Sequence, residues 1–239
     1  MKAIILAAGR GMRMRPLTDH TPKPLLKVHG RALIEWHVEA LARGGVRELV
    51  INTAWLENEF PLALGDGARW GLKIHYSMEG REHGGALETA GGIATALSML
   101  VDGDCDAFWV VSGDIHAPDF EFDAAQAQRF AATDLQAHLW LVPNPSFHKK
   151  GDFGLDAHGH ALADDPGPDG LTWTYANVAL CRASLFAGVK PGTKAALGPL
   201  LFDGMRHRAI TAEVYRGRWE NVGTPEQLAA LNLNGPLPL

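Results

Sequence analysis

Lys2 apart, apolar residues run without interruption through positions 2–7, the signature of a parallel strand buried on both faces. Leu33, Ile34, His37, Val38 and Leu41 then recur at helical spacing, and Gly44-Gly45 marks the stop of that helix. A second apolar run covers 48–52, and 72–76 alternates as a strand near a sheet edge does. Ile93, Ala96, Leu97 and Leu100 predict a further helix, and 108–111 a strong strand that ends at Ser112-Gly113-Asp114. The first half thus reads strand, helix, strand twice over, which predicts a parallel sheet covered by helices.

The second half carries a different rhythm. Residues 136–142 read as a strand, and 143–171 is polar and rich in Gly, Pro, Asp and His, with a hairpin expected around 156–159. Residues 173–180 alternate well, 210–214 forms a short strand, and 225–233 a terminal helix with Thr224 as its cap and Pro225 in its first turn. The tail at 235–239 is expected to fray. There are no repeats and no heptads.

Length and composition narrow the classes. The chain has 239 residues, enough for one domain or one domain with a lobe, and 46% hydrophobic residues supply a sizeable core. The formal charge of -5 argues against a nucleic-acid partner. Cys105 and Cys181 sit in apolar, strand-like runs and read as buried free thiols in a reducing compartment. No secretory or transmembrane run is present, so a cytoplasmic location with no membrane partner is expected. The oligomeric state cannot be read from the chain.

Against this acidic background, the segment after the first strand is locally basic. Gly9 and Gly11 bring the backbone and its N–H groups close to a ligand, and Arg13, Arg15, Lys23 and Lys27 add positive charge. A dinucleotide turn is excluded: it needs G-x-G-x-x-G leading into a helix, and here Met14 holds the third glycine position while Pro16, Pro22 and Pro24 forbid a regular helix. A P-loop is excluded because no Gly-Lys-Ser/Thr follows. What remains is a long irregular loop suited to a polyphosphate. Asp114, at the carboxyl end of a buried strand, is placed either to cap a turn or to ligate Mg²⁺ beside that loop. His83, His116, His148, His158 and His160 lack metal-ligand spacing and read as loop residues.

L-A-A-G-x-G-x-R-x-x-P-L-T at 6–18 and P-K-P-L at 22–25 resemble the sugar-phosphate nucleotidylyltransferases, and further matches extend the resemblance over most of the chain. It implies a Rossmann-like, mostly parallel α/β sheet with helices on both faces (three layers, αβα) and a smaller sugar-binding lobe. The expected division is a nucleotide half at about 1–115 and a sugar half at about 116–239, within one domain. It implies that a sugar 1-phosphate attacks the α-phosphorus of a nucleoside triphosphate and pyrophosphate leaves. A phosphate monoester, with its second pKa near ~6, is largely a dianion at neutral pH and needs no general base. Positioning and charge neutralisation then carry the catalysis.

Residue by residue, the resemblance implies that Arg13 acts on the triphosphate and Lys23 bridges the reacting phosphates, with Leu6, Ala7, Ala8, Gly9 and Gly11 holding the nucleotide. The stretch 79–93 is similar to a base-reading loop, L-E-T-x-G-G, giving Glu79, Ala86 and Leu87 as base contacts, with Glu88 either an alternative acceptor or a first-turn helix residue. Asn144, Asp152, Gly154 and Asn177 match sugar-side segments. Asp114 matches the metal aspartate of V-x-x-G-D. The second metal position of W-x-D-V-G-T-P-E is Asn221 here, which implies weaker Mg²⁺ binding, replacement by Glu220, or a non-catalytic nucleotide-sugar binder. Among substrates, UTP and N-acetylmuramate 1-phosphate of cell-wall recycling are favoured over mannose 1-phosphate with GTP, or glucose 1-phosphate.

Overall fold

The computed structural model describes residues 1–233 apart from 104 and 164. The expected fraying at 235–239 lies outside the described residues. In chain order the elements are β1 (Lys2–Leu6), β2 (Lys27–Val28), β3 (Arg31–Ala32), α1 (Leu33–Arg43), β4 (Glu48–Thr53), α2 (Glu59–Leu64), β5 (Lys73–Met78), α3 (Glu79–His83) and α4 (Glu88–Leu100). Then follow β6 (Ala107–Ser112), β7 (Ile115–His116), α5 (Ala124–Ala131), β8 (Ala137–Val142), β9 (Gly154–Leu155), β10 (Ala161–Leu162), β11 (Thr174–Arg182), α6 (Gly198–Arg206), β12 (Ile210–Val214), β13 (Glu220–Asn221) and α7 (Pro225–Leu233).

Seven strands form one sheet in the order β12-β8-β11-β6-β1-β4-β5. Neighbours are parallel except β11, which runs antiparallel to both β6 and β8. The unbroken apolar runs divide by the two-residue period of a strand. Ala3, Ile5, Leu49, Ile51, Trp109 and Val111 pack on one face with Ile34, Val38 and Leu41 of α1 and Phe130 of α5. Ile4, Val50, Phe108 and Val110 pack on the other with Ile93 and Leu100 of α4 and Leu201 and Met205 of α6. Each such side chain contributes roughly 1.5–3 kcal/mol by burial. The three-layer αβα expectation is met, and strands from both sides of residue 115 share the one sheet.

The differences from expectation have local causes. The opening segment is not irregular throughout: it folds into 3₁₀ turns at Met12–Met14, Leu17–Asp19 and Lys23–Leu25, short enough to tolerate its prolines. α2 holds six residues including Pro61, too few to show a helical period, whereas α6 carried readable signals, Pro199 in its first turn and an apolar face at Leu201 and Met205, that were missed. α5 is polar, but its Asp123 cap, accepting from the Ala125 and Gln126 N–H groups, was a readable start signal. Cys181 is buried in β11, whereas Cys105 is only half-buried and lies before β6. His116 is buried in β7 and His83 ends α3, so neither is a loop residue.

A third, small cluster joins the chain's two ends. Met14, Leu26, Val28 and Leu33 pack against Val222 and Leu228. Asn232 of α7 adds hydrogen bonds, accepting from the His29 N–H at 2.8 Å and donating to the Lys27 carbonyl at 3.1 Å.

The double glycine of α4 serves packing. A Cβ on Gly91 would lie 2.2 Å from the Thr193 carbonyl oxygen, and one on Gly92 would lie 2.5 Å from Glu79 Oε1 and 2.6 Å from Asn52 Nδ2. Glycine to alanine in a free helix gains roughly 1 kcal/mol. At Gly92 the methyl would instead displace a buried carboxylate, so Gly92→Ala is expected to destabilise the protein by about 1–3 kcal/mol. Urea unfolding measures the sign, and a rise in midpoint would refute the close-packing account.

Candidate functional site

Three parallel strands end at one place. β1 ends at Leu6, β6 at Ser112 and β4 near Asn52. Register sets Leu6 against both Ser112 and Asn52. The crossover out of β1 leads to β4 on one side while β6 lies on the other, so a crevice opens beyond these carboxyl ends. Antiparallel β11 contributes its beginning here: Val178 pairs with Val111, so Asn177 sits alongside the end of β6.

Two cavities meet in the crevice. The first, of about 490 Å³, is lined by Leu6, Ala7, Ala8, Gly9 and Gly11, by Arg13 and Lys23, and by Asn52, Ala86, Glu88, Asp114 and Gly223 among others. The second, of about 480 Å³, is lined by His148, Asp152, Tyr175, Asn177, Trp219 and Asn221 among others. Leu6, Thr89 and Ser112 line both. Each volume suits a small ligand.

The charged centre of the first cavity is a pair. Lys23, 7% exposed, donates from Nζ to Asp114 Oδ2 at 2.8 Å. An ammonium so buried requires a partner, and the 3₁₀ turn at Lys23–Leu25 points it there. Arg13 lies beside Gly223, where an added Cβ would sit 3.6 Å from its Nη2. Gly11, at φ 65°, holds the preceding turn, with its carbonyl accepting from the Thr18 hydroxyl at 2.9 Å. Arg15 instead pairs with Asp19 at 2.6 Å, and Lys27 is an exposed residue of β2; neither lines the cavity.

Asp114 and Asn221 approach through the backbone. β13 pairs antiparallel with β7, setting Asn221 against Ile115, and the Val222 N–H donates to the Asp114 carbonyl at 3.2 Å. Asn221 Oδ1 is buried and has no hydrogen-bond partner. Beneath, His37 is fully enclosed, and burial holds its pKa below the ordinary value. It is therefore neutral, and its Nε2–H donates to the Ile115 carbonyl at 2.8 Å, fixing the segment after Asp114. Its position on the apolar face of α1 read only as core.

The base-reading segment is arranged differently from the expectation. Glu79 is fully buried, and neither it nor Leu87 lines the cavity. Its Oε1 accepts from Asn52 Nδ2 at 2.6 Å and its Oε2 from the Leu87 N–H at 2.8 Å. Asn52 Oδ1 in turn accepts from the Ala7 N–H at 2.9 Å. Burial raises the Glu79 pKa, and these hydrogen bonds oppose it. Glu79 is thus a floor support. Glu88 is the carboxylate on the cavity, exposed and at φ 61°. Asn52 was missed because an asparagine ending an apolar strand carries no motif.

On the sugar side, Asp152 and Asn177 line the second cavity, while Asn144 and Gly154 do not. Asn144 ties its loop together, donating to the carbonyls of Lys149 and Thr172 and accepting from the Thr174 hydroxyl. Gly154 is needed for packing, since a Cβ would lie 2.0 Å from the Asp165 carbonyl oxygen. Asn177, at φ 60°, sits where the β11–β8 register shifts between Tyr175 and Ala179, a bulge that re-aims its side chain. Among the described residues no helix is long and apolar enough to cross a membrane, and no group of three or more His, Cys, Asp or Glu side chains forms a metal-binding cluster.

Comparison with known proteins agrees with this geometry. Residues 2–160 match the family model described as nucleotidyl transferase. N-acetylmuramate alpha-1-phosphate uridylyltransferase from Neisseria meningitidis serogroup B is 45% identical over 225 residues, covering 94% of each chain. The protein of the same description from Caulobacter vibrioides is 30% identical over 234 residues, covering 95% of this chain and 94% of that one. A crystal structure from Bacillus anthracis assigned as a glucose-1-phosphate thymidylyltransferase superposes with a TM-score of 0.79 over 98% of this chain and 94% of that one, at 20% identity, which shows the fold.

The floor network predicts non-additive mutants. Asn52→Leu strips a donor from buried Glu79 and is expected to cost about 2–4 kcal/mol. Asn52→Leu with Glu79→Leu is expected to cost clearly less than the sum of the single changes. Additive urea midpoints would show that the two side chains do not act together.

Proposed function

Because the chain belongs to the nucleotidyl transferase family, we propose that it transfers a uridylyl group from UTP to N-acetylmuramate 1-phosphate, releasing pyrophosphate. The observation that carries this reading is the meeting of two cavities at Leu6, Thr89 and Ser112, with the Lys23–Asp114 pair on one side and Asn221 on the other. The first cavity takes the nucleotide and the second the sugar. Their junction takes the phosphates. An oxygen of the sugar phosphate bonds to the α-phosphorus, and the bond from that phosphorus to the bridging oxygen of pyrophosphate breaks.

In this reading the chain supplies charge and position. Backbone N–H groups near Gly9 and Gly11 meet the triphosphate. Lys23 turns from Asp114 toward the reacting phosphates, and Arg13 neutralises the departing pyrophosphate. Asn177 and Asp152 hold the sugar. Among the described residues no serine or cysteine lining either cavity is hydrogen-bonded to a histidine, and a dianionic nucleophile requires no such couple.

Asp114 and Asn221 would hold Mg²⁺. The test of fit is the donor set: one carboxylate and, on the adjoining strand pair, one buried, unpartnered amide oxygen, both hard ligands, with phosphates to complete the shell. When bound, the ion supplies charge neutralisation at the α-phosphate. Asn221 brings an oxygen without the charge that an aspartate would bring. Glu220 is exposed on β13, and its side chain does not line the second cavity. We infer from this substrate assignment that the reaction runs in the cytoplasm and serves peptidoglycan recycling.

A second reading rests on Glu88. A carboxylate accepts two adjacent donors well, and guanine presents two where uracil presents one. This favours transfer from GTP to mannose 1-phosphate. A non-catalytic nucleotide-sugar binder is the reading that Asn221 would favour.

Pyrophosphate release with Mg²⁺, each nucleoside triphosphate and a panel of sugar 1-phosphates separates these readings. Release is expected with UTP and N-acetylmuramate 1-phosphate; GTP with mannose 1-phosphate would favour the second reading, and silence with every pair the third. Lys23→Ala is expected to lower kcat by roughly 10²–10³-fold. Asn221→Asp is expected to reduce the Mg²⁺ concentration giving half-maximal rate, and an unchanged or higher requirement would remove Asn221 from the metal site.

A further inference from the structure

The second cavity carries an unbalanced chemistry. Its lining includes Leu6, Phe153 and Leu201 as apolar walls, and Asn177, Asn221 and Asp152 as polar groups. Among the described residues no lysine or arginine lines it, and His148 is the one side chain on it that can carry a positive charge. N-acetylmuramate differs from N-acetylglucosamine by a lactyl ether whose carboxylate is ionised at neutral pH. If the acidic sugar enters, that carboxylate must find a partner, because an unpaired charge in a half-enclosed cavity is costly.

His148 is built to serve. Its Nε2 lies 2.9 Å from Asp152 Oδ1, and the carboxylate is an acceptor, so Nε2 carries the hydrogen. Asp152 cannot swing away freely, because its Oδ2 accepts the Tyr175 N–H at 2.8 Å. The loop below is pinned as well: the His148 N–H donates to the Pro145 carbonyl, the Gly151 N–H to the His148 carbonyl, and the Thr172 hydroxyl to the Lys150 carbonyl. Gly151, at φ 66°, closes this turn against Asn144, where a Cβ would lie 2.6 Å from Oδ1. One ring nitrogen is thus held by a fixed carboxylate, and Nδ1 is left to a ligand. An imidazolium between Asp152 and a substrate carboxylate makes two charge-assisted hydrogen bonds. Lys149 and Lys150 follow in sequence but are exposed and outside the lining.

Building on the sugar assignment proposed above, we propose that His148, oriented by Asp152, receives the carboxylate of an acidic sugar phosphate and sets the preference for it over the neutral sugar. Without the imidazole, Asp152 would face that carboxylate as a like charge, which enlarges the loss of preference expected when His148 is replaced.

The test is binding at equilibrium. Dissociation constants for UDP-N-acetylmuramate and UDP-N-acetylglucosamine are measured by calorimetry on the wild type, His148→Gln and His148→Lys. The wild type is expected to prefer the acidic ligand. In His148→Gln that preference should fall roughly 10–100-fold, the size of one charge-assisted hydrogen bond, and His148→Lys should recover part of it. A preference retained in His148→Gln, or a loss that is equal for both ligands, would overturn the proposal and leave the sugar assignment standing. A wild type that binds neither ligand, or prefers the neutral one, would overturn the sugar assignment and this proposal with it.

Discussion

The first cavity of the crevice rests on a carboxylate that never reaches it. Glu79 is wholly buried, and the Asn52 amide and the Leu87 N–H converge on its two oxygens against the cost of that burial. Through Asn52 the same network reaches the Ala7 N–H. Three separate pieces of chain are held at fixed distances: the end of β1, the end of β4 and the turn entering α4. Gly92 exists so that the helix can approach this network. A loop held only by apolar packing would slide; this one has directional bonds on three sides.

The reactive centre follows another rule. Lys23 and Asp114 satisfy each other across a separation of 91 residues. Such a pair keeps both charges oriented when no substrate is present. It is half-exposed at the aspartate and enclosed at the lysine, so the aspartate is the end of the pair open to the cavity. Opposite it, Asn221 presents a buried oxygen with nothing to accept. One side of the junction is saturated and the other waits, which is an arrangement suited to a ligand that arrives with its own charge.

Much of this was legible in the sequence because it depends on period and on rare residues. The apolar runs at β1, β4 and β6 can be buried only as central strands, and glycines, prolines and cations in one short stretch restrict the opening segment to anion chemistry. Arg13, Lys23, Asp114 and Asn177 were identified and do converge on the crevice. What escaped depends on tertiary direction. Nothing local says that Glu79 turns inward while Glu88 turns outward, since both precede helical turns and both are acidic. Asn144 and Gly154 lie in the right loops but serve the loops themselves. His37 and Asn52 act through one carbonyl and one amide, contacts that leave no spacing pattern. A helix as short as α2 is made by packing and leaves too few residues to show a period.

The small cluster that joins Met14, Leu26 and Val28 to Val222 and Leu228 imposes an order on biosynthesis. The phosphate-facing loop is among the first segments to leave the ribosome, yet the side chains that press it into place belong to the last. At roughly 5–20 residues per second, the gap between them is on the order of ten seconds or more. During that interval the parallel strands β1, β4, β5 and β6 can assemble, while Arg13 has no Gly223 beside it and Asn221 has not yet paired with Ile115. The crevice is therefore a late product of folding, and a chain truncated before β13 would keep most of its sheet while lacking the Asn221 and Gly223 side of the crevice.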